Sequence, residues 1–159
     1  MTGMTVIVKT VTRWTAALIF LYGAYVVAYG HLSPGGGFAG GVILACSYII
    51  MVLAHGREAA LSSLPKAVAS RLDSVGALAF LGLALAGMLI GGGLFFTNWL
   101  QNLSPGTGFR VFNAGIIPLA NVAIAIKVSM SLFLVFFILS SVRMLGKGDQ
   151  TDLRCDEVD

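Results

Sequence analysis

Four long apolar runs separated by short polar links organise this chain. They cover about residues 14–29, 38–54, 75–99 and 117–142. Each is close to the ~20 apolar residues that carry a helix across a bilayer. The pattern predicts an all-α integral membrane protein with about four transmembrane helices. A single membrane domain is expected over residues 1–142, followed by a polar tail at 143–159 that should be cytoplasmic and poorly ordered. The first run has one feature of a secretory signal, a small-residue cleavage sequence at Val26-Val27-Ala28. Further spans follow it directly, so it is read as a membrane helix.

Charge adds an orientation. Lys9, Arg13, Arg57, Lys66, Arg71, Arg143, Lys147 and Arg154 fall in links or tails on one side of this layout, and only Arg110 falls on the other. By the positive-inside rule both termini are cytoplasmic, which an even number of spans requires. All seven acidic residues lie in the same cytoplasmic segments. No carboxylate is therefore expected within a span.

Composition narrows the function. The 159 residues are 57% hydrophobic and 11% charged, with a mean hydropathy of +0.91. That excess must face lipid or other subunits. The net charge of +3 is small, and nothing in its distribution points to nucleic acid. Cys46 and Cys155 are far apart, one in an apolar run and one in the tail, so neither a disulfide framework nor a metal-ligand spacing is present. Paired carboxylates, HExxH, a P-loop and a nucleophile–base set are all missing. The expectation is a protein with no cofactor and no enzymatic chemistry of its own.

The outward links carry turn chemistry. Leu32-Ser33-Pro34-Gly35-Gly36-Gly37-Phe38 is echoed by Leu103-Ser104-Pro105-Gly106-Thr107-Gly108-Phe109. A duplicated helical hairpin would give this echo, and so would two ordinary Pro-Gly reversals. Gly35 to Gly40 also fits G-x-G-x-x-G, but a dinucleotide fold needs a strand before that pattern and a soluble βαβ unit around it. The physical reading is backbone geometry. Pro34 ends a helix, and the glycines allow positive φ and close approach of another backbone. Gly36/Gly40, Gly37/Gly41 and Gly87/Gly91 are each spaced four apart, as helix packing in lipid favours.

Lys127 is the most informative side chain. Fifteen Leu, Ile, Phe or Val residues accompany it between 117 and 142, and they readily offset the insertion cost of one lysine, about 3 kcal/mol. On a helical wheel Ala120, Ala123, Met130 and Ser131 share its face, while Phe133 and Phe137 lie elsewhere. With no acid in any apolar run, its partner is expected on a neighbouring subunit. The competing reading is snorkelling, since a span starting near Asn121 would leave Lys127 about 9 Å from its end. His31 beside the turn is a candidate proton relay, and His55 a weaker one. Trp14, Trp99 and Tyr29 read as interface anchors.

At the first turn the sequence becomes specific. Gly30-His31-Leu32-Ser33-Pro34-Gly35-Gly36-Gly37-Phe38-Ala39-Gly40-Gly41 resembles the GH-x-x-PGGGF-x-GG signature of the MnhB family, the B subunits of Mrp-type multisubunit sodium/proton antiporters. The stretch from Gly115 to Val128 resembles that family's last helix. The resemblance implies an accessory subunit of a cation/proton-translocating module, surrounded by other membrane subunits, with Na+ and H+ as transported ions. It places Pro34, Gly35, Gly36, Gly37, Phe38, Gly40 and Gly41 in a turn at a subunit interface, and Lys127 near an ion path. Free-standing antiporters of this type tend to carry an acid near the Lys127 position, and relatives in membrane-bound hydrogenase-type complexes tend to carry lysine. The lysine here leans toward a redox-linked complex. A free-standing antiporter, a purely structural membrane adaptor and a small self-assembling transporter or channel are the alternatives.

Overall fold

The computed structural model describes residues 4–32, 35–56, 64–90, 92, 94–100 and 114–155, with side chains described as far as residue 140. Ser33, Pro34, Gly91, Arg110 and the second Leu-Ser-Pro-Gly sequence lie outside those residues. The described residues form four long helices and no strand: α1 (Val6–Ala28), α2 (Gly36–His55), α3 (Lys66–Ile90) and α4 (Ile117–Cys155). All four are long and apolar enough to cross a membrane, α4 through its Ile117–Ser140 portion.

Four helix boundaries differ from the hydrophobic runs by eight residues or more, among them the end of α3 at Ile90, nine residues before the end of its run. Helix α1 starts at Val6, eight residues before its run. Helix α3 starts at Lys66, directly after Pro65, because proline is a ready helix opener and the polar residues that follow are good helix formers. The helix is thus shifted toward the N-terminus relative to its apolar run, and Asp73 falls two turns inside α3. Helix α4 continues to Cys155, into the tail expected to be poorly ordered. No proline interrupts it after Pro118.

The packing order is not the chain order. Helix α2 lies between α1 and α4, and α4 lies between α2 and α3. A core of Val52, Ala69, Met130, Phe133 and Phe137 fills one end of the bundle. Phe133 and Phe137 are the largest fully buried side chains. Their rings sit 6.2 Å apart, with Tyr48 of α2 edge-on to Phe133 and the Lys66 ammonium 4.6 Å above the Phe137 ring. The outer faces keep Trp14, Leu18, Leu21, Leu89 and Leu139 exposed. In water such a surface would aggregate, whereas in a bilayer it is the solvated face.

Candidate functional site: a glycine seam and an ion pair on one helix

The glycine-rich sequence forms the seam between the α1–α2 turn and α4. Gly36 has φ +53°, a conformation costly for residues with a Cβ. It aims the next amide at α4, where the Gly37 N–H donates to the Asn121 side-chain Oδ1 at 3.2 Å in a buried setting. A Cβ on Gly37 would overlap the Asn121 carbonyl, and one on Gly41 would come within 2.9 Å of the Ala125 carbonyl oxygen. Gly40 faces the other way, where a Cβ would overlap Val27 of α1 and come within 3.2 Å of the Gly23 carbonyl oxygen. One turn of glycines therefore serves two neighbours, Gly37 and Gly41 on α4 and Gly40 on α1. Phe38 points outward and is exposed. His31 is half-buried in the turn after α1.

Six residues beyond Asn121, the opposite flank of α4 carries charge. Lys127 Nζ donates to both carboxylate oxygens of Asp73, at 2.7 and 2.8 Å, and to Ser131 Oγ at 3.2 Å. The Ser131 hydroxyl in turn donates to Asp73 Oδ1 at 2.7 Å. All three ammonium hydrogens thus have an acceptor. The expectation that Lys127 finds its partner only on another subunit is corrected here: Asp73 of the same chain is the partner. It was missed because the polar stretch before the third apolar run was read as a link. Its helical continuation brings the carboxylate to the level of Lys127.

Gly76 makes the reach possible. It lies one turn beyond Asp73 on the same face of α3, and a Cβ there would stand 2.8 Å from the Lys127 amide nitrogen and 3.0 Å from the Ala123 carbonyl oxygen. Glycine lets the two helices touch, so the short aspartate side chain spans the gap. The side chains of Lys127 and Asp73 nevertheless remain 42% and 22% exposed. Beside the pair, α3 and α4 leave a groove of about 360 Å³ lined by Gly76, Ala79, Gly82, Ala123 and Ile126.

A third polar contact braces the start of α4. Asn98 Oδ1 accepts from the Ile116 N–H at 3.2 Å and its Nδ2 donates to the Ala114 carbonyl at 3.4 Å. Gly115, at φ +63°, sits where any Cβ would strike the Asn98 side chain. Asn121, Asp73 and Asn98 are the polar residues that sequence reasoning passed over. An asparagine inside an apolar run and an aspartate two turns after a proline were the available signals. His31 and Lys127 do not share a site: the Lys127 contacts are Asp73 and Ser131. Among the described residues no cluster of His, Cys, Asp or Glu is arranged to hold a metal ion.

Four apolar helices pinned by glycine contacts, with an ion pair between two of them, define a multi-pass membrane protein. The chain belongs to the MnhB family, matching over residues 7–141 the domain related to the MnhB subunit of Na+/H+ antiporters. It is 35% identical over 148 residues to an uncharacterized protein of Methanocaldococcus jannaschii, a match covering 89% of this chain and 54% of that one. It is 43% identical over 60 residues to the putative antiporter subunit mnhB2 of Staphylococcus aureus, covering 38% of this chain and 43% of that one. Among solved structures it is similar to a chain of the membrane-bound sulfane sulfur reductase, an archaeal respiratory membrane complex. The TM-score is 0.70 at 29% identity, over 86% of this chain and 57% of that chain. The chain thus spans about half the length of the relatives it matches.

Proposed function

We propose that this chain is a non-catalytic membrane subunit of an Mrp-type cation/proton-translocating assembly, and that the assembly is a redox-linked respiratory complex. The observation that carries this reading is the likeness, over 86% of the chain, to a subunit of a respiratory membrane complex. Lys127, the residue type that the family resemblance ties to the redox-linked branch, supports it. The partly exposed Lys127–Asp73 pair supports the presence of neighbouring subunits. A charged pair in the apolar part of a bundle is costly against lipid and needs cover. The groove beside it offers a seat for a neighbour's helix. Outside its own helix backbone and chain neighbours, Gly82 in that groove has no atom of the described residues within 4 Å of where a Cβ would be, so a substitution there meets what docks from outside.

In this reading both termini are cytoplasmic and the two Leu-Ser-Pro-Gly turns face outward. Cysteines introduced at Ser33 and Ser104 should label from outside, and labelling only from the cytoplasmic side would reverse the orientation. The functional test is purification of the assembly from native membranes, followed by Na+/H+ flux measurement in vesicles. Co-purifying redox subunits are the expected result. Co-purification of antiporter subunits alone would favour the free-standing antiporter, to which the 43% identity with the S. aureus subunit points. Normal flux with Lys127→Met, in equal amounts of assembled complex, would leave only a structural adaptor.

A further inference from the structure

We propose that the cleft between α1 and α2 is a binding site for an anionic membrane lipid. The cleft has a volume of about 460 Å³, shares no lining residue with the α3–α4 groove, and takes no part in the glycine seam or the ion pair. Its lining changes character along its length. Arg13 and His55 stand at one end, and Phe20, Ser47 and Tyr48 at the other, with Ala16, Ala17, Met51 and Phe133 contributing to the walls. Helices α1 and α2 run antiparallel, so the step from Arg13 to Phe20 and the step from His55 to Ser47 descend together. Each covers seven or eight residues, about 10–12 Å. That is most of one leaflet of a hydrocarbon core about 30 Å thick.

The basic end lies where the membrane surface should be. His55 is the last residue of α2, Arg13 directly precedes the first apolar run, and Lys66 begins α3. Among the described residues no carboxylate lines the cleft, Arg13 forms no ion pair, and the buried Nδ1 of His55 has no hydrogen-bond partner. Deeper in, the Ser47 hydroxyl is already used, because its Oγ donates to the Leu44 carbonyl at 2.8 Å, and the rings of Phe20 and Tyr48 line the wall. The cleft thus offers cationic and hydrogen-bonding groups at the surface and asks for an apolar occupant below. That sequence of demands is a phospholipid's own: an anionic phosphate headgroup on Arg13 and His55, and an acyl or isoprenoid chain against Phe20 and Tyr48. A transmembrane helix from another subunit would have to present an acid at the surface and an unbroken apolar face below it, and nothing in the cleft calls for its backbone.

The test uses the intact complex in nanodiscs. These contain trace phosphatidylglycerol or phosphatidylcholine carrying a photoreactive group in the acyl chain, and crosslinked peptides are mapped. Phosphatidylglycerol should label residues 13–20 and 47–55 about fivefold more than phosphatidylcholine, the effect of one basic side chain near a headgroup. Arg13→Gln should remove that preference while leaving the apolar labelling. Ala17→Trp, at an exposed position of the cleft wall, should abolish labelling by both probes there. Equal labelling by the two lipids, or a preference that survives Arg13→Gln, would overturn the assignment. So would the absence of any label in the wild-type cleft, the result expected if another subunit fills it.

Discussion

The two flanks of α4 hold the bundle together by opposite means. On the α2 flank the contact is neutral, glycine against backbone, with a buried hydrogen bond from Gly37 to Asn121. On the α3 flank one glycine, Gly76, brings the helices together, and a charged network of Lys127, Asp73 and Ser131 closes the gap. The first seam is closed and leaves no room for a side chain. The second leaves its charges partly open to whatever lies outside. In a membrane no hydrophobic force separates helix–helix from helix–lipid contact, so close fit and polar bonds decide both seams. The closed seam has the properties of a fixed joint. The open one keeps a charge within reach of whatever packs on that face.

Substitutions should separate the two. The largest effect on assembly is expected from Gly37→Leu, where a side chain meets the Asn121 backbone. The yield of assembled complex should fall by an order of magnitude or more, as overpacking at a backbone contact allows no small adjustment. Normal yield would show that the seam is not closed. Next, Asp73→Asn and Lys127→Met each leave the other member of the pair uncompensated in the membrane. Ion flux per assembled complex should drop about a hundredfold or more, the usual scale for loss of a proton-transferring group. Lys127→Arg should keep assembly but not proton-coupled flux, because arginine stays charged. Flux at the wild-type level in Lys127→Arg would make the pair a structural tie. Gly82→Leu should leave the chain's own thermal stability unchanged while lowering its recovery with partner subunits. Equal loss in both measurements would place Gly82 inside the chain's fold rather than at its border. The smallest effect is expected from Asn121→Ala, which deletes one neutral hydrogen bond. A loss of about 1 kcal/mol is the usual cost, readable as a small drop in the unfolding temperature of the detergent-solubilised protein.

The sequence made some of this legible. The four helices followed from apolar length, and the glycine turn from its composition, because both signals are local. The site was harder to read. Lys127 stood out as a cation in an apolar run, but Asp73 did not, because hydropathy marks where lipid begins rather than where a helix begins. Pro65 followed by a helix-forming stretch would have moved the start of α3 back to Lys66 and put Asp73 in reach. Asn121 was passed over because one polar residue at the edge of a span is common. Its role depends on Gly36 turning an amide toward it, a contact across 84 residues of sequence. Arg13 and His55 sit 42 residues apart in sequence, and only the antiparallel course of α1 and α2 makes them neighbours across a cleft.

Asn121 and Lys127 are carried by the same rod. An α-helix transmits displacement along its length with little loss, and six residues separate the two side chains, about 9 Å of axis. If α4 rolled or slid, the Gly37 amide would lose its acceptor at one level while the Asp73 carboxylate would lose its ammonium at the next. Helix α4 therefore works as a common axle. Whatever grips the turn between α1 and α2 also sets the angle at which the ion pair is held. A subunit bound at one face of this chain would have a mechanical line to a charge on the other.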